Sequence, residues 1–65
     1  MTPDALSQIC DLVGGQTRLG SLIGVTYSTM RRKCNGESEI TKGDELKVRQ
    51  AVSELIEALK KAFPT

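Results

Sequence analysis

The stretch Gln16–Gly36, QTRLGSLIGVTYSTMRRKCNG, decides how this chain is read. It holds four basic residues, Arg18, Arg31, Arg32 and Lys33, and no acidic one. Its apolar positions form two short runs, Leu19/Leu22/Ile23 and Met30/Cys34, with Gly24-Val25-Thr26 between them. That spacing predicts two amphipathic helices, about Gln16–Ile23 and Tyr27–Cys34, joined by a tight turn. Thr26 is placed to cap the second of them, and Asn35-Gly36 to stop it. Gly20, inside the first, costs about 1 kcal/mol relative to alanine. It reads either as tolerated weakness or as a point where another helix comes close.

Outward toward the N-terminus, Thr2-Pro3-Asp4 is a helix start: a capping hydroxyl, a proline at the first helical position and an acid facing the positive end of the dipole. Leu6, Ile9, Cys10 and Val13 follow at i, i+3, i+4 and i+7, and Gly14-Gly15 ends the run. Leu12 falls off that stripe and is expected to cover a neighbouring surface. Toward the C-terminus, residues 37–41 form a short polar connection around Ile40. Thr41 and Asp44 have the spacing of a capping box. A long helix is predicted from about Lys42 to Ala62 or Phe63, ended by Pro64. On it Val48, Val52, Leu55, Ile56, Leu59 and Phe63 share a face with Ala51 and Ala62, and Leu46 lies opposite.

These elements make an all-α fold: one small four-helix domain over residues 1–65, with a central helix-turn-helix and a longer C-terminal helix. Only Tyr27 and Phe63 are aromatic, and no alternating strand pattern is present. A domain of 65 residues is near the lower limit for folding alone, so a staple or a partner subunit would help. With two cysteines and no histidine, a zinc site would need unusual ligands, and no metal or cofactor is expected. Cys10 and Cys34 leave two readings, a disulfide or two small packing residues with a minor redox option. The lack of a secretory signal and their helical positions favour reduced thiols in a cytoplasmic protein. No apolar run is long enough for a membrane span. The net charge of +1 conceals a segregation: −2 over residues 1–15, +4 over 16–36 and −1 over 37–65. A local basic surface on a near-neutral chain suits a polyanion.

Two helices crossing at about 90–120° need a small residue where they meet, glycine at the bend, and apolar groups after the bend and in mid-second-helix. Gly20, Gly24, Val25 and Met30 meet these demands in order. Such a unit exposes the start of its second helix, which fits the major groove. Gln16-Thr17, Gly20, Gly24-Val25, Met30 and Asn35-Gly36 resemble the helix-turn-helix of the phage Cro and repressor family. The similarity covers about 21 residues.

The resemblance implies roles by position. Tyr27, Ser28 and Arg32 become base-reading residues, with Arg31 able to read a base or hold a phosphate. Gln16, Thr17, Arg18, Thr26 and Lys33 become phosphate contacts. Lys33 departs from the family pattern, which has an apolar residue there; Cys34 is expected to take over that packing while the lysine snorkels its ammonium into solvent. For Arg32 the competing reading is a solvated surface charge, and for Tyr27 a cover over the core edge. On the last helix Leu55, Ile56, Leu59 and Phe63 either complete the monomer core or pair with a second subunit.

The functional expectation is a sequence-specific double-stranded DNA-binding regulator. It would be a dimeric Cro-like repressor of a phage or mobile-element operon, acting by occupying a palindromic operator. The alternative is a helical protein-interaction module, an antitoxin or adaptor with a vestigial helix-turn-helix. An enzyme is the remote third reading: there is no histidine, no recognisable nucleophile–base pair and no phosphate-binding glycine loop.

Overall fold

A computed structural model describes residues 1–63. Among them are four helices, α1 (Pro3–Val13), α2 (Gln16–Ile23), α3 (Tyr27–Cys34) and α4 (Lys42–Ala62), and no strand. The domain is all-helical, as the apolar periodicity predicts. No helix among the described residues is long and apolar enough to cross a membrane.

Local chemistry sets the helix ends. The Thr2 hydroxyl accepts from the Ala5 N–H to open α1, and Gly14 closes it in the left-handed conformation. At α4 both halves of the capping box form: Thr41 Oγ1 accepts from the Asp44 N–H, and the Asp44 carboxylate accepts from the Thr41 N–H. Asp44 therefore performs the task usually given to Glu or Gln. Pro64, expected to end this helix, lies outside the described residues.

The core is a cluster of Leu6 and Cys10 from α1, Leu19 and Ile23 from α2, Met30 and Cys34 from α3, and Val48 and Ala51 from α4. Ile9, Val13, Val25, Ile40 and Val52 pack around its edge. Helix α2 is the hub, touching α1, α3 and α4. The molecule measures 42 × 20 × 20 Å. Its elongation follows from α4: 21 residues span about 31 Å at 1.5 Å per residue, longer than the three short helices can cover.

Two apolar residues depart from expectation. Leu12 covers no neighbour; it is 85% exposed, because the α1 face it occupies meets no other helix. On α4 the stripe is buried only through its first half. Val48 and Ala51 are in the core and Val52 and Leu55 are half-buried, but Ile56, Leu59 and Phe63 are 46%, 50% and 74% exposed. The reading in which these three complete the monomer core is overturned.

Candidate nucleic-acid interface

The bend between α2 and α3 fixes the interface. Gly24 closes α2 at φ 78°, ψ 28°, donating its N–H to the Gly20 carbonyl. A Cβ at Gly24 would meet nothing, so glycine is required here for the left-handed backbone alone. Gly20 is required for the opposite reason. A Cβ there would lie 2.9 Å from the Val25 carbonyl oxygen, and the Val25 N–H donates to the Gly20 carbonyl at 2.8 Å. What comes close is the backbone of the turn itself, and not the neighbouring helix that the sequence suggests. The chain then enters α3 through Thr26, whose hydroxyl accepts from the Thr29 N–H.

Met30 and Cys34 anchor the inner side of α3. At about 100° per residue, the outermost positions are therefore Ser28 and Arg32, with Arg31 along one edge, Thr29 along the other, and Tyr27 opening the helix toward the Met30/Cys34 side. Tyr27, Ser28, Arg31 and Arg32 are all exposed, Tyr27 by 52%. Neither arginine makes a salt bridge or side-chain hydrogen bond among the described residues. Two guanidinium groups thus stand free at exposed positions, one outermost and one at the edge, of a helix anchored by its inner face.

The expected phosphate contacts divide. Gln16, Thr17 and Arg18 lie on the first turn of α2, the one helix whose N-cap, Gly15, supplies no side chain. Thr17 and Arg18 are exposed and Gln16 is half-buried. Thr26 is exposed, but its hydroxyl is occupied: besides accepting from the Thr29 N–H it donates to Thr29 Oγ1 at 3.0 Å. Its observed work is capping. Thr29, absent from the sequence-based set, is its partner; the three-residue spacing of the two threonines was the available signal.

No protein-family model, curated protein or solved structure matches this chain.

Lys33 corrects the sequence reading. Its ammonium does not snorkel into solvent. It donates to Asp44 Oδ2 at 2.6 Å and to the Glu39 carbonyl at 2.9 Å, and the lysine side chain is only 12% exposed. A partner on a different element, invisible to helical periodicity, captures the charge, so Lys33 leaves the set of phosphate contacts. The hydrogen bond from Lys33 holds the Asp44 carboxyl below the usual range, opposed by burial and aided by the Thr41 N–H and hydroxyl. The same carboxylate thus caps α4 and holds the C-terminal end of α3.

Cys10 and Cys34 are free thiols in the core, with their sulfurs 3.8 Å apart. Burial pushes the Cys10 thiol up to about 12, and the hydrogen bond and charge coupling to Cys34 push the same way. Both residues behave as packing groups. Of the four α4 positions assigned to a dimer, Ile56, Leu59 and Phe63 form an open apolar strip, and Leu55 is half-buried beside it.

Proposed function

We propose that this protein is a sequence-specific double-stranded DNA-binding regulator. The observation that carries the reading is the pair of free guanidinium groups, Arg31 and Arg32, at exposed positions of a helix fixed by a glycine turn. In this reading α3 lies in the major groove. Arg32 and Ser28 reach base edges from the outermost positions, and Tyr27 and Arg31 flank them. Arginine's planar fork bonds guanine O6 and N7 together. Gln16, Thr17 and Arg18 hold the backbone from the first turn of α2, whose uncapped N–H groups and positive dipole end favour a phosphate. The protein works as a homodimer on a palindromic operator, in the manner of a Cro-like repressor of a phage or mobile-element operon, and represses by occupancy.

The test is selection of bound fragments from a random duplex pool, followed by binding to the winning sequence at several salt concentrations. A palindromic consensus with salt-dependent affinity is expected. Affinity that ignores both sequence and salt overturns the reading. The exposed apolar strip on α4 favours one alternative, a helical interaction module whose helix-turn-helix is vestigial. Arg31→Ala with Arg32→Ala separates the two. A DNA regulator loses its operator, whereas an interaction module keeps its protein partner and shows no DNA affinity to lose.

A further inference from the structure

The strip on α4 continues into a groove. Ile56, Leu59 and Phe63 lie within about 60° of one another around the helix at 100° per residue. On the same side, nearer the helix start, α4 and α1 form an open groove of about 370 Å³ lined by Met1, Ile9, Val48, Arg49, Val52 and Ser53. Phe63 lies seven residues, about 10 Å, beyond Ile56, and the groove is centred about 8–9 Å before it. An apolar projection and a recess with apolar walls rimmed by Arg49 and Ser53 thus sit at nearly equal distances on opposite sides of one residue. An isologous two-fold contact needs that arrangement, since each copy must present both halves of the fit.

We infer that α4 pairs antiparallel with α4 of a second copy, with Ile56 at the two-fold axis and Phe63 of each copy seated in the Ile9–Val52 groove of the other. This deepens the dimer within the proposed function but does not depend on DNA binding. A parallel pair would set Phe63 against Phe63 and leave both grooves open. The area agrees with a second copy of modest affinity. On the 150–250 Å² scale of large side chains, the free parts of Ile56, Leu59 and Phe63 come to roughly 300 Å² per copy. With the groove walls covered in return, the total stays well below the roughly 1,200 Å² at which stable interfaces begin. The free protein is therefore a concentration-dependent dimer, and two adjacent half-sites on one duplex would raise its effective concentration.

The test uses the full chain in sedimentation and in disulfide trapping. Ile56→Cys should cross-link to its copy under mild oxidation, because the two-fold axis brings position 56 against itself. Phe63→Cys should not, because its two copies lie about 20 Å apart along the helices. Phe63→Glu should weaken self-association about 10–100-fold, the loss expected for one large buried apolar group. Lys47→Glu, on the opposite face, should leave it unchanged. Efficient trapping through position 63 overturns the antiparallel pairing, as does self-association that survives Phe63→Glu. A protein monomeric throughout the millimolar range overturns the dimer itself. If trapping succeeds and no DNA sequence is preferred, the DNA reading falls and the helix pairing stands.

Discussion

Ser28 and Arg32 point furthest from the core, and this separates binding from stability at the scale of single residues. Arg32→Ala should cost about 1–3 kcal/mol of preference for the selected operator over a scrambled duplex. Thermal unfolding should be nearly unchanged, because the exposed guanidinium makes no salt bridge or hydrogen bond among the described residues; competitive binding and a melting curve check both halves. The hinge glycines behave in the reverse way. Gly20→Ala should destabilise by about 1–3 kcal/mol in urea unfolding, since the new methyl meets the Val25 carbonyl oxygen, a backbone atom with little room to retreat. Gly24→Ala should cost about 1–2 kcal/mol through backbone strain alone, with no clash to relieve. The two thiols, packed in the core with the Cys10 thiol raised to about 12, should resist alkylation in the native protein at mild pH. Mass spectrometry should show both labelled at the rate of unfolding, with no faster phase.

Among the elements, α3 and α4 are tied together through Lys33 and Asp44. Helix α3 therefore does not depend on Met30 and Cys34 alone for its position. Removing the carboxylate with Asp44→Asn should cost about 1.5–3 kcal/mol near neutral pH, the range for hydrogen bonds to a charged group. The sign with pH follows from the direction of the shift. Asp44 is held below its ordinary value in the folded chain, so its stabilisation is complete above the unfolded carboxylate value of about 3.9. It is lost as pH falls through the lowered folded value. Urea unfolding of the protein and of Asp44→Asn should accordingly differ near pH 7 and converge as the solution is acidified toward pH ~2. A Lys33→Met change tests the other partner: it should restore some apolar packing at the α3 end but leave Asp44 with its Thr41 bonds only.

At the scale of the whole molecule, a core of a few buried side chains from four helices supports a mostly exposed surface. In the proposed DNA complex, the formal charge of +1 predicts weak attraction at long range, with the free arginines acting at contact. The slope of log affinity against log salt should be about −0.9 per phosphate neutralised. Replacing Arg18 should make it shallower by about one unit for each copy bound, uniformly across DNA sequences.

The helix boundaries were legible in the sequence because they are local. Thr2, Thr26 and Thr41 cap the residues immediately after them, and Gly14 and Gly24 end the helices just before them. The all-α fold and the exposed start of α3 follow from the same short-range rules, and so does the exposure of Ser28, Arg31 and Arg32. What lay beyond reach involved contacts between distant residues. Lys33 looks like a solvated cation until Asp44, eleven residues on, closes on it. Leu12 looks like a packing residue until the fold leaves its side of α1 uncovered. The apolar stripe of α4 is continuous in sequence, and only the lengths of α1, α2 and α3 decide where its burial stops. Gly20 is the clearest case in the stretch first quoted: its small size signals a close approach, but only the tertiary structure identifies the Val25 carbonyl as what approaches. Periodicity records which face of a helix is apolar; the partner that meets that face is set by packing in three dimensions.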